Sequence, residues 1–88
     1  MSAPASDRAA KLANYIRQNV SKDRARPIGP DTPLVSSGLI DSMSLVSVLV
    51  FIEDELGVVI PDEAATAAAM DSVRLILELV ARHDGIGR

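Results

Sequence analysis

The sequence predicts an all-α fold, a four-helix bundle in which one helix is short and a long loop joins the first two helices. Three observations predict it. Apolar residues recur at the spacing of one helix face in separate segments, and capping residues, glycine and proline bound those segments. The one short β-branched run has no partner strand. The 88 residues suit a single domain, with frayed ends expected at about residues 1–5 and 84–88.

The first predicted helix covers roughly residues 7–20, where apolar residues recur at helical spacing. Residues 26–33 follow with three prolines and one glycine, and no helix continues through such a segment. Beyond this loop, Leu34 and either Leu39 or Ile40 are expected to be buried against the helices of the bundle.

The second predicted helix begins at Asp41 or Ser42 and ends near Gly57, because glycine is common just after a helix. Residues 58–61 (VVIP) are expected to form an extended, buried connector. Asp62 should then cap a short helix through the alanine-rich residues 63–69.

The last predicted helix is capped by Asp71 or Ser72. Four apolar residues share one face of it: Val73, Ile76, Leu77 and Val80.

The second helix has more apolar residues than one core contact requires. Five of them fall within about 80° on a helical wheel: Leu45, Val48, Leu49, Ile52 and Leu56. A second stripe lies about 130° away: Met43, Val46 and Val50. Glu53 and Asp54 flank it. The second stripe is either the buried side of a central helix or an exposed apolar patch rimmed by carboxylates, which suits a transient protein partner.

Charge is distributed unevenly along the chain. No Lys or Arg occurs between Pro27 and Val73, and that span holds most of the acidic residues. An acidic middle repels phosphate backbones and attracts basic proteins, and two aromatic residues are too few for stacking on bases. We therefore expect no nucleic-acid partner. No Cys is present, no apolar run approaches membrane-spanning length, and no metal-ligand cluster is evident, so a cytoplasmic monomer without metal is expected.

Ser42 stands at the predicted start of the second helix. A serine there is first of all a cap for a free backbone N–H, worth about 1 kcal/mol. Asp41 can cap equally well, so one of the two is spare. A helix start also favours a phosphate. A hydrolytic role is not indicated, because no Gly-x-Ser-x-Gly turn occurs and the only histidine, His83, lies near the C-terminus.

The run DTPLVSSGLIDSMSLV (residues 31–46), followed by IEDELGVVIPDE (residues 52–63), resembles the acyl and peptidyl carrier proteins. The signature of that family is an Asp-Ser-Leu or Asp-Ser-Met step at the start of its second helix. The resemblance covers about residues 31–80. The chain has another Asp-Ser step, Asp71-Ser72, but it lacks the preceding Gly-Leu-Ile and the acidic residues that follow, so we interpret it as a plain cap.

The resemblance implies a carrier rather than an enzyme. A separate phosphopantetheinyl transferase would attach 4′-phosphopantetheine from coenzyme A to Ser42, and the thiol of the arm would hold an acyl or aminoacyl thioester intermediate. Asp41 would position Ser42 and contact the transferase. The implied partner-binding residues are Met43, Val46, Ser47, Val50, Glu53 and Asp54.

Ser44 and Ser47 stand where fatty-acid carriers often have acidic residues. This departure favours a stand-alone carrier in a specialised pathway, loaded by an acyl- or aminoacyl-activating ligase and unloaded by downstream acyl-transfer enzymes. The alternatives are a general fatty-acid synthesis carrier and an unmodified helical adaptor that uses the face from Met43 to Val50 without needing Ser42.

Overall fold

The computed structural model describes residues 5–84, which form an all-α arrangement of three helices and their connecting loops. The helical segments are Ala5–Tyr15 with the wider turn Ile16–Val20 (α1), the tight turn Ser42–Ser44 with Leu45–Phe51 and the wider turn Ile52–Leu56 (together α2), and Val73–His83 (α3). None of residues 5–84 forms a strand. The expected frayed ends lie outside the described residues, except for Ala5 and Asp84.

The boundaries of α2 and α3 follow from local chemistry. Gly57 ends α2 with a left-handed backbone (φ 70°), and its N–H donates to the carbonyl of Glu53 at 3.2 Å. Glycine adopts this conformation without a steric penalty, which confirms the predicted stop. Ser72 caps α3, because its Oγ accepts a hydrogen bond from the backbone N–H of Leu75 at 3.1 Å.

The core is aliphatic and draws on every helix and on the loops between them. Its buried members are Leu12 and Ile16 of α1, Leu45, Val48 and Ile52 of α2, Val73, Ile76, Leu79 and Val80 of α3, and Leu34, Leu39, Ile40, Val58, Ile60 and Met70 of the connections. Burying one such side chain stabilises the fold by roughly 1.5–3 kcal/mol. The predicted burial of the loop leucines and isoleucine is confirmed.

The predicted core face of α3 is confirmed in part. Val73, Ile76 and Val80 are buried, whereas Leu77 is only half-buried and Leu79 is buried as well. The connector at residues 58–61 forms neither helix nor strand, and the expected burial holds only in part: Val58 and Ile60 are buried, whereas Val59 is 65% exposed.

The short helix expected after Asp62 does not form. Residues 62–70 instead make separate turns, in which the N–H of Ala65 donates to the carbonyl of Asp62 at 3.1 Å and that of Met70 donates to Thr66 at 3.0 Å. The Thr66 hydroxyl accepts the N–H of Ala69 at 3.1 Å. Such local side-chain bonds compete with a helical ladder, and a helix this short is costly to nucleate even when it is rich in alanine.

Contacts between the helices fix α2 against α1. The rings of Tyr15 and Phe51 stack with their centroids 4.3 Å apart, and the Tyr15 hydroxyl donates to the carbonyl of Ser47 at 3.3 Å. A stacked aromatic pair adds about 0.5–1.5 kcal/mol to the area it buries. The only two aromatic side chains of the sequence therefore hold together the helices on either side of the long loop.

Candidate functional site

Asp41 is the cap of α2. Its backbone is extended (φ −99°, ψ 167°), and its Oδ1 accepts hydrogen bonds from both the backbone N–H and the hydroxyl of Ser44, each at 2.9 Å. The two hydrogen bonds satisfy a donor at the helix start and tie the carboxylate to the first turn. Of the two caps that the sequence allowed here, the aspartate is the one used.

The same hydrogen bonds set the charge of Asp41. The bonds from the backbone and hydroxyl of Ser44 hold the pKa of the Asp41 carboxyl below its ordinary value, and the nearby Lys22 ammonium acts in the same direction. A carboxylate stabilised in this way remains ionised at neutral pH.

Ser42 is not needed as the cap of α2, because Asp41 supplies it. It is the first residue of the turn Ser42–Ser44, its side chain is exposed, and its hydroxyl has no hydrogen-bond partner in the described part of the chain. A substituent on this oxygen would therefore break no bond that holds the fold. The turn thus presents an unused nucleophilic oxygen to solvent.

Lys22 is a neighbour of this turn that sequence reasoning missed. Its Nζ lies 4.0 Å from Oδ2 of Asp41, and its backbone N–H donates to the carbonyl of Leu39 at 2.9 Å. No sequence signal indicated this contact, because it depends on how the long loop folds back onto the residues before α2.

The carboxylate of Asp71 binds the loop that leads to the site. Its Oδ1 accepts the backbone N–H groups of Leu34 (3.2 Å), Val35 (2.7 Å) and Ser36 (2.8 Å), and its Oδ2 accepts the Ser36 hydroxyl at 2.7 Å. The backbone and hydroxyl bonds from Ser36 are the main reason that the pKa of Asp71 lies below its ordinary value. One signal for this role is visible in the sequence: Asp71 and Ser72 can each cap α3, so one of the two is available for a different contact.

The second stripe of α2 is exposed. Met43 is 83% exposed, Val46 64% and Val50 52%, whereas Leu45 and Val48 of the first stripe are buried. The interpretation of α2 as a helix buried on most sides is therefore wrong. Exposed polar side chains accompany the stripe on the same helix: Ser47, Glu53 and Asp54.

His83, the one histidine of the sequence, makes a local contact within its own helix. His83 lies in the last turn of α3, where its Nδ1 is 3.0 Å from the carbonyl oxygen of Leu79. Within residues 5–84, no group of His, Asp and Glu is arranged to hold a metal ion. No helix among the same residues is long and apolar enough to cross a membrane.

A comparison with known protein families identifies a family for this chain. A family model described as a phosphopantetheine attachment site matches residues 10–80, which is most of the chain. The matched span contains the capped turn at Asp41, the exposed stripe of α2 and the loop bound by Asp71. No curated protein sequence matches the chain closely enough to count as a relative.

Proposed function

The chain belongs to the family of phosphopantetheine attachment domains, whose members carry 4′-phosphopantetheine covalently, and we propose that Ser42 is the residue that carries it here. The observation that supports this choice most directly is the free Ser42 hydroxyl. It is exposed on a turn whose cap is supplied by its neighbour, Asp41.

Comparison of the hydroxyl groups within the matched span supports the same residue. Most of them already make a hydrogen bond within the described structure: Ser21, Thr32, Ser36, Ser37, Ser44, Thr66 and Ser72. Ser42 and Ser47 are the serines that do not. Ser47 lies within the α-helical part of α2, whereas Ser42 begins the first turn. Attachment at Ser42 therefore disturbs the helix least.

The residues around Ser42 fit a phosphate ester. The hydroxyl supplies the oxygen and Asp41 keeps the turn fixed. The ammonium of Lys22 lies 4.0 Å from Oδ2 of Asp41 and places a positive charge beside the residue next to Ser42. The Asp41 side chain is about half exposed (53%), so a transferase can reach it.

The proposed attachment is a group transfer carried out by a separate phosphopantetheinyl transferase with its own magnesium. Oγ of Ser42 forms the new bond to phosphorus, the pyrophosphate P–O bond of coenzyme A breaks, and the nucleotide leaves with the other phosphate. The hydroxyl proton passes to the transferase. Once attached, the arm supplies a terminal thiol that holds an acyl or aminoacyl group as a thioester.

The exposed stripe of α2 is the proposed docking face for the enzymes that load and unload the arm. Met43, Val46 and Val50 supply apolar area next to Ser42, and Glu53 and Asp54 supply negative charge. A small apolar patch rimmed by carboxylates suits weak, fast binding of basic partners, which a carrier needs because it must leave each enzyme.

The residues around the exposed stripe also support a proposal about the pathway, namely that the carrier serves a specialised one. Ser47 is exposed beside the stripe, and no acidic residue stands between Asp41 and Glu53. A docking face that is mostly apolar at this point favours a dedicated set of partners, including an acyl- or aminoacyl-activating ligase, over the general fatty-acid enzymes.

The same exposed stripe also supports a second candidate, an unmodified helical adaptor. It would bind a protein through Met43, Val46 and Val50 and would not depend on Ser42. The two candidates differ in one measurable respect, which is whether the chain accepts the arm.

The test is the intact mass of the protein after incubation with coenzyme A, magnesium and a broad-specificity phosphopantetheinyl transferase. The wild type should gain the mass of one phosphopantetheine and Ser42→Ala should gain none. Ser72→Ala is the matched control from the other Asp-Ser step and should be modified. Modification of Ser42→Ala would move the attachment site elsewhere. No mass gain in the wild type with several transferases would favour the adaptor.

A further inference from the structure

Lys22 is held next to the turn that presents Ser42. Its backbone N–H donates to the carbonyl of the buried residue Leu39, two positions before Asp41. Its side chain is 63% exposed, and Nζ lies 4.0 Å from Oδ2 of Asp41. The main chain of the lysine is therefore fixed relative to the turn, while its ammonium group can still move between nearby anions.

The charge pattern of the chain makes this lysine distinctive. No Lys or Arg lies between Pro27 and Val73, so α2 has no cation of its own. Arg8 and Arg74 are engaged elsewhere, in ion pairs with Asp84 and Asp31. Lys22 approaches the start of α2 from a different part of the chain and supplies positive charge there.

A phosphodiester on Ser42 changes the electrostatics of the turn. It adds one negative charge on the residue next to Asp41, whose carboxylate is kept ionised by its hydrogen bonds from Ser44. The modified turn then carries two anionic groups on adjacent residues, which raises the negative potential at the start of α2 and favours a nearby cation. Oδ1 of Asp41 is already used in the cap, and Oδ2 faces Lys22.

From these contacts we infer that Lys22 is the counter-ion of the modified serine, with its ammonium group binding a non-bridging oxygen of the phosphodiester while staying close to Asp41. The inference rests on the proposed attachment at Ser42. If Lys22 binds the phosphodiester, the loop after α1 helps to hold the attached end of the phosphopantetheine arm. The interaction is an exposed ion pair, so it should weaken as the salt concentration rises.

The experiment compares the unmodified and modified forms of three proteins: wild type, Lys22→Met and Lys11→Met. Lys11→Met is the matched control, since Lys11 is an exposed lysine of α1 and its loss changes the net charge by the same amount. Each protein is first shown by mass to carry one phosphopantetheine on Ser42. Denaturant unfolding and the ³¹P resonance of the phosphodiester are then measured at low and high salt.

Attachment should favour folding more in wild type and Lys11→Met than in Lys22→Met. The expected difference is a factor of about 1.5–5 in the unfolding equilibrium constant, the range for an exposed ion pair, and it should disappear near 1 M salt. The ³¹P resonance should shift in Lys22→Met alone. Lys22→Arg keeps the charge and should behave as the wild type does.

The outcomes separate this inference from the proposed function. A wild type that takes up no arm at Ser42 overturns both. If all variants are modified but the effect of attachment and the ³¹P resonance are the same in each, only the role of Lys22 is overturned. A Lys22→Arg protein that behaves like Lys22→Met also overturns it. If Lys22→Met cannot be modified, the test relies on the modified wild type alone. A ³¹P resonance that does not change between low and high salt would then overturn the inference.

Discussion

The two Asp-Ser steps of the chain begin two different helices and use the same pair of side chains in opposite ways. At the start of α2, Asp41 is the cap and the Ser42 hydroxyl has no partner within the described residues. At the start of α3, Ser72 is the cap and is buried, and Asp71 binds the loop at residues 34–36.

The difference shows that an Asp-Ser pair does not by itself define a site. One of the two residues suffices as a cap, and the surroundings decide what the other one does. Three backbone N–H groups of the loop donate to the Asp71 carboxylate, so Asp71 is not available as the cap of α3. The Ser72 hydroxyl is therefore used as the cap and is not free for modification. Within residues 5–84, the Asp41 carboxylate accepts hydrogen bonds from its own turn, at Ser44, and from no backbone group of a distant loop, and the spare residue is a serine open to solvent.

The largest expected effect is on attachment of the arm, which should be lost in Ser42→Ala and retained in Ser72→Ala. Ser42→Ala should lose all modification, yet its free energy of unfolding should change by less than about 0.5 kcal/mol, because the hydroxyl makes no contact that holds the fold. Ser72→Ala should be modified normally. Mass spectrometry and urea unfolding of both proteins check this. A Ser42→Ala protein that fails to fold would show that Ser42, too, is structural.

The next effect concerns Asp71. Asp71→Ala leaves the N–H groups of Val35 and Ser36 and the Ser36 hydroxyl without their acceptor, whereas the N–H of Leu34 keeps the backbone carbonyl of residue 71 at 2.7 Å. The variant should lower the free energy of unfolding by about 2 kcal/mol. The matched control is Asp62→Ala, which removes an exposed carboxylate that makes no hydrogen bond within residues 5–84. Asp62→Ala should stay within about 0.5 kcal/mol of wild type. Equal losses in the two variants would show that net charge, and not the loop contact, is responsible.

A smaller effect is expected at the caps. Ser72→Ala should lower the free energy of unfolding by about 1 kcal/mol, since the N–H of Leu75 loses its acceptor. Ser72→Asp restores an acceptor and should recover part of the loss. Urea unfolding measures both variants. A Ser72→Ala protein as stable as wild type would mean that Asp71 can replace Ser72 as the cap of α3. Aspartate could then cap the helix at both Asp-Ser steps, and the contrast between them would be weaker.

The sequence predicts the start of α2, its stop at Gly57 and most of the core stripe, because these depend on local spacing and capping chemistry. Leu49 and Leu56 of that stripe are only half-buried, and attachment at Ser42 stays a prediction. Sequence alone could not show which residue of each Asp-Ser step is the cap. That choice depends on contacts such as the one from Val35 to Asp71, which are 36 positions apart. The predicted short helix after Asp62 does not form, because an alanine-rich run this short is costly to nucleate and the Thr66 hydroxyl binds the N–H of Ala69 in a local turn instead.

The most modest effect is on the pH dependence of stability. The pKa of the Asp71 carboxyl is lowered in the folded state, chiefly by hydrogen bonds from Ser36. A carboxyl with a lowered pKa binds protons more weakly in the folded than in the unfolded chain, where its pKa is about 3.9. Its stabilising contribution is therefore complete above that value and is lost as the pH falls through the lower, folded pKa.

The unfolding midpoint of the wild type in urea should accordingly fall as the pH is lowered from about 5 towards 2. Asp71→Asn cannot titrate at this position and should show a shallower fall, whereas Asp62→Asn should follow the wild type because no loop depends on Asp62. The pKa of Asp41 is lowered too, so part of the slope should remain in Asp71→Asn. If Asp71→Asn and wild type lose stability in parallel, the loop contact is not carried by the charge of Asp71, and the contrast between the two steps then rests on Ser42 and Ser72 alone.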